Sequence, residues 1–167
     1  MTVTFSDIQA ARERIRGQVD HTPTRHSRRL SELTGADVWV KFDNLHFTGS
    51  FKERGALNRL LGLTEEEKRR GVIAMSAGNH AQGVAYHAQR LDIPATIVMP
   101  VGTPNVKVSQ TRDLGAETET LRGPSTYQTI VPFIREHRIN TVLVGAGKRG
   151  RLRFWRKRLY QQLVESG

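Results

Sequence analysis

One lysine and one turn of small residues are the places where this chain of 167 residues could do chemistry. Lys52 stands in Thr48-Gly-Ser-Phe-Lys52, after a flexible glycine and beside Ser50, a candidate N-cap. A lysine in the first turn of a helix faces the positive end of the helix dipole, which disfavours its ammonium form. In a dry site the neutral amine could attack a carbonyl and form a Schiff base. The plainer reading of the same spacing is a solvated lysine at a charged helix start, next to Glu53 and Arg54. The second place is Ser76-Ala77-Gly78-Asn79-His80. Small residues there let backbone approach a ligand, and the N–H groups of a turn and helix start bind a carboxylate or phosphate. Asn79 adds an amide and Ser76 a hydroxyl; the plainer alternative is an ordinary turn with Asn79 as N-cap and His80 as a helix-start hydrogen-bonder.

Both places must be positioned by regular elements. The pattern predicts helices over 6–17, with Ser6 as N-cap, 27–33, closed by Gly35, and 51–61. An extended His21-Thr-Pro-Thr and a strand over 38–42 precede the lysine. From Val72 the rhythm is strand, turn, helix: strands over 72–75, 95–99, 117–121 and 141–144, with helices over 79–90, from Thr103-Pro104 to Gly115, and over 125–138 despite Pro132. Thr103 as cap and Pro104 as first helical residue would open the second of these. The expectation is an α/β fold with a parallel sheet and flanking helices. Ligands sit beyond the carboxyl ends of such strands, which points to the turn Ser76 to His80. The polar 117–121 strand suits an edge.

Composition narrows the classes. Without cysteine there is no disulfide, thiolate metal site or cysteine nucleophile, and no histidine pair has metal-ligand spacing, so the expected metal content is none. The start has no secretory pattern and no apolar run spans a bilayer, so a soluble cytoplasmic protein without membrane contact is expected. The net charge of +10 is uneven: residues 148–167 hold seven basic residues and one acid, leaving only +4 on the rest. A terminal basic run is a weaker sign of nucleic-acid binding than a basic face, so nucleic acid is not the expected partner. Glu65-Glu-Glu67 followed by Lys68-Arg-Arg70 is a solvated helix with paired charges, and His87 is structural. Gly145-Ala-Gly147 lacks the third glycine of a dinucleotide fingerprint.

At these same residues the chain resembles the threonine dehydratase family, of the tryptophan synthase β-like fold shared with serine dehydratase and serine racemase. The resemblance rests on Thr22-Pro, on Val40-Lys-Phe-Asp-Asn-Leu-His-Phe-Thr-Gly-Ser-Phe-Lys-Glu-Arg-Gly-Ala56, and on Met75-Ser-Ala-Gly-Asn-His-Ala-Gln-Gly83. It continues through Val98-Met-Pro, Thr103-Pro, Lys107 and Leu114-Gly-Ala-Glu117. It implies pyridoxal 5'-phosphate as cofactor, an amino acid as substrate, and dehydration and deamination of threonine or serine to a 2-oxo acid and ammonia. Lys52 would be the cofactor lysine and the base for the α-proton. Phe51 would pack near the cofactor, Asn79 would bond its ring hydroxyl, and Ser76, Ala77, Gly78, Asn79 and His80 would hold the substrate carboxylate. Ala77 stands where similar racemases carry a proton-donating serine, which favours dehydration. Complete members of the family are expected to be homo-oligomers.

Asp43 and His46 depart from the family's usual Glu and Gln. The resemblance divides the chain into 1–147, the N-terminal part of the enzyme domain, and 148–167, a basic tail without counterpart. The family's downstream phosphate-cradling loop has no match in these 167 residues, so the expectation is a truncated, inactive version of the enzyme. The rival from another class is a non-catalytic module that holds RNA or an acidic surface through the tail; a racemase and a β-replacement enzyme are rivals among enzymes.

Overall fold

The computed structural model describes residues 3–121, 126–136 and 142–143. Gly145 to Gly147, the tail 148–167 and the boundary between them lie outside these residues.

The amino-terminal part is held by local caps. Helix α1 (Phe5–Ile15) starts one residue earlier than the pattern suggests, because Thr4 and Asp7 form a reciprocal capping box that outcompetes Ser6. Strand β1 (Thr24–His26) pairs antiparallel with β2 (Trp39–Lys41) across α2 (Arg28–Thr34), whose N-cap is Ser27 and C-cap Gly35. A short 3-10 turn (Asp43–Leu45) leads to α3 (Lys52–Leu61) and α4 (Glu65–Arg70), the latter carrying the paired charges of a solvated surface.

Next come β3 (Val72–Met75), α5 (Asn79–Arg90), β4 (Ala95–Pro100), α6 (Asn105–Asp113), β5 (Glu117–Leu121), α7 (Thr126–Glu136) and β6 (Val142–Leu143). The last four strands make one parallel sheet in the order β5-β4-β3-β6, with β5 at an edge. Strand residues alternate between faces. Val72, Ala74, Ile97 and Met99 pack with Leu60 of α3 and Val84 and Ala88 of α5; Ile73 and Val98 face Val131 and Ile134 of α7. Helices thus cover both faces, which is why β3 and β4 read as nearly continuous apolar runs.

Helix α6 corrects one expectation: Pro104 is the N-cap and not the first helical residue, while Thr103 spends its hydroxyl on the Pro100 carbonyl at 2.7 Å. Strand order runs outward from β3 to β5 and then returns to the other side of β3. The reversal therefore falls beside β3, whose carboxyl end leads into Ser76. No helix among the described residues is long and apolar enough to cross a membrane.

Candidate active site

Lys52 is the first residue of α3 and half-buried. The N-cap is Phe51, not Ser50, yet the Ser50 hydroxyl still serves the helix start by accepting the Lys52 N–H at 3.3 Å. Gly49 turns the chain into the helix with φ of +69°, a conformation L side chains rarely adopt. The Lys52 ammonium has no carboxylate partner among the described residues; its Nζ lies 5.1 Å from the centre of the Phe51 ring. Phe51 itself is exposed, as is Phe47, which stacks on Tyr86 of α5 at 4.6 Å.

The segment before Lys52 is tied down at two levels. On the outer side, Arg54 donates from Nε and Nη2 to Asp43 at 3.0 and 3.2 Å, and buried Thr22 donates its hydroxyl to the same carboxylate at 2.5 Å. The guanidinium of Arg54 holds the Asp43 carboxyl down at about 2, with Thr22 adding to the effect. Lys41 closes the group by donating to the Thr22 carbonyl at 2.9 Å. On the inner side, buried Glu53 accepts the Thr48 N–H.

The turn after β3 is held by backbone. The Ser76 N–H donates to the Val98 carbonyl at 3.1 Å and the Gly78 N–H to the Ser76 hydroxyl at 3.2 Å. Gly78, not Asn79, is the N-cap of α5, and no side chain caps this helix. Asn79 is exposed and its amide makes no hydrogen bond among the described residues; Ser76, Ala77, Gly78 and His80 are half-buried.

Gly83 brings the two places together. A Cβ there would lie 3.2 to 3.3 Å from the Lys52 carbonyl group and the Glu53 nitrogen, so α5 crosses α3 with its backbone against the Lys52–Glu53 peptide. Asn79 is four residues earlier on the same face of α5, about 6 Å along the axis. The amine-bearing helix start and the uncapped helix start therefore meet at the carboxyl end of β3. Sequence reasoning missed Gly83, Thr22 and Glu53 as contributors; for Gly83 the signal was its i,i+4 spacing from Asn79.

A family model described as pyridoxal-phosphate dependent enzyme matches residues 15–141, more than half of the chain. The chain belongs to the pyridoxal-phosphate-dependent enzyme family. Among curated relatives, it is 51% identical over 115 residues to an L-threonine ammonia-lyase of Thermotoga maritima, covering 69% of this chain and 29% of that protein. It is 49% identical over 113 residues to an L-threo-3-hydroxyaspartate ammonia-lyase of Pseudomonas sp, covering 68% and 35%. Among solved structures, a serine racemase from Dictyostelium discoideum superposes with a TM-score of 0.77 at 31% identity, covering 86% of this chain and 47% of that one. The chain thus spans about a third of the length of these two curated relatives. The α/β architecture expected from the residue pattern is that of this pyridoxal-phosphate family.

Residues of the site fit one part of that cofactor. An amine without a carboxylate partner suits its aldehyde and an exposed amide its ring hydroxyl, while the uncapped helix start suits the carboxylate of an amino acid. Among the described residues no cluster of His, Cys, Asp or Glu could hold a metal ion.

Proposed function

We propose that this chain supplies the lysine-bearing part of an ammonia-lyase acting on a β-hydroxy amino acid, L-threonine or L-serine. Lys52 would hold pyridoxal phosphate through Nζ until the substrate's amino group displaces it, and the freed Nζ would take the α-proton. Asn79 donates to the cofactor's ring hydroxyl, the exposed Phe51 ring lies beside it, and the N–H groups around Ser76 to His80 hold the substrate carboxylate. When bound, the cofactor supplies an electron sink for the α-carbon. Loss of the β-hydroxyl as water follows, and the unsaturated amine released from the enzyme hydrolyses to a 2-oxo acid and ammonia.

The observation that carries this reading is the packing of Gly83 on the Lys52–Glu53 peptide, one helical turn from Asn79. It supports a reading in which the Lys52 amine works beside the N–H groups of the Ser76–His80 turn, at the reversal of strand order, where α/β sheets take their ligands. The names of the two curated relatives, both ammonia-lyases, support elimination as the reaction class. Ala77 supports it further: a methyl group cannot return a proton to the opposite face of the α-carbon, as racemisation requires.

The test adds pyridoxal phosphate to the wild-type and Lys52→Ala proteins and follows visible absorbance. A saturable band in the wild type, absent from the variant, is the expected result; equal spectra contradict the reading. The 167 residues alone are expected to give no turnover, so 2-oxobutyrate formed from L-threonine would contradict that part separately.

A further inference from the structure

Glu53 follows Lys52 directly, and the residue is 2% exposed. Burying an anion is costly unless hydrogen bonds and opposite charges receive it. Here one oxygen accepts the Thr48 N–H from the loop that precedes Lys52. The other lies 3.9 Å from Nδ1 of His46, in the same loop, and 3.9 Å from Nε2 of His87, on α5. Both imidazoles are buried, and neither nitrogen has a hydrogen-bond partner among the described residues, so Glu53 is the nearest counter-charge to these two nitrogens. Three elements thus converge on one carboxylate: the loop that delivers the lysine, the helix that bears it, and the helix that starts at the anion-binding turn. Beyond this centre stand Asp43, 3.3 Å from His46, and Arg90, 3.3 Å from His87, with Tyr86 packed on the His87 ring.

An apolar residue would fill this space more cheaply, since replacing buried charges with well-packed hydrophobic groups is often neutral or stabilising. Mere packing therefore does not account for a carboxylate at position 53. The geometry points to Glu53 as the positioning residue for Lys52, holding the 46–51 loop against α5 so that the amine keeps a fixed place relative to Asn79. This rests on the proposed role of Lys52. His46 takes part as the loop's own contact, at a position where the resemblance notes a departure from the family's usual Gln.

The test compares wild type, Glu53→Gln and Glu53→Ala in the full chain, first by amide hydrogen exchange and then by the cofactor-dependent absorbance. Glutamine keeps an oxygen for the Thr48 N–H; alanine does not. The amides of Thr48 to Lys52 are expected to exchange roughly tenfold faster or more in Glu53→Ala and markedly less so in Glu53→Gln, while those of β4 keep their rates. The Lys52-dependent absorbance should weaken in the same order. Unchanged exchange at Thr48 to Lys52 in a folded Glu53→Ala protein overturns the proposal, as does a uniform rise that includes β4. If Glu53→Ala does not fold, Glu53→Gln carries the test: absorbance as weak as that of Lys52→Ala with wild-type loop exchange, or faster loop exchange with wild-type absorbance, overturns it. An exchange contrast as expected, with no Lys52-dependent absorbance in the wild type, defeats instead the cofactor reading on which the inference rests.

Discussion

The two segments that meet at the site are built in opposite ways. The 43–51 segment is fastened by side chains: Asp43 to Arg54 and Thr22, and Glu53 to Thr48. In the 76–80 turn one N–H bonds the neighbouring strand and another bonds the turn's own serine, and among the described residues no side-chain hydrogen bond caps the helix it opens. The difference suits the work proposed for each. An amine that must meet one carbon needs a fixed origin, whereas a turn that binds a carboxylate must keep its N–H donors and must not fill them with a capping side chain. Changes at Asp43 or Glu53 in and beside the first segment should therefore cost stability, whereas loss of the Asn79 amide in the second should cost binding alone.

The largest expected effect comes from acid. Burial in α5 pushes His87 down to about 4, from an ordinary 6.5, with Arg90 adding to the shift and Glu53 opposing it. Unfolding lets this imidazole take a proton between those values, so its contribution is complete above 6.5 and is lost as the pH falls towards 4. The size is on the order of 3 kcal/mol. Chemical denaturation at a series of pH values should show this acid limb, and His87→Gln should flatten it. Asp43→Ala comes next. Removing the acceptor that Arg54 and Thr22 share is expected to cost about 2 kcal/mol at neutral pH, read as a lowered midpoint of unfolding. The contribution of the Asp43 carboxylate is present above 3.8 and disappears as the pH falls through about 2.

Gly83→Ala probes the junction of the two segments. The added methyl must displace the Lys52–Glu53 backbone, for about 1 kcal/mol of stability and a larger proportional loss of cofactor-dependent absorbance. Asn79→Ala gives the smallest change in stability, within about 0.5 kcal/mol, because its exposed amide bonds nothing among the described residues. It should nevertheless weaken the absorbance. A large loss of stability in Asn79→Ala would erase the contrast between the segments.

Much of this architecture was legible in the residues. The stretch from Val72 to Arg90 shows its strand, its small-residue turn and its helix directly, because each has local cues and a helix–sheet core enforces them. Local cues misled where two candidates competed. Thr4 is the cap because it and Asp7 form the reciprocal box, although Ser6 has Gln9 three residues on, and Thr103 gives its hydroxyl to a turn and leaves the cap to Pro104. The pairing of β1 with β2 spans a helix and is set by distant contacts. Least legible was the burial of Glu53 and His46: each looks like a surface residue in its own segment, and their meeting with His87, read as structural, needs the crossing of α3 and α5 at Gly83.

The most direct measurement treats the folded chain with pyridoxal phosphate, reduces the adduct with borohydride, and maps the label by peptide mass spectrometry. The account predicts that the label gathers on Lys52 in preference to Lys41, Lys68 and Lys107, and that Gly83→Ala diminishes this preference. A label spread evenly over these lysines, or centred on another of them, would contradict it.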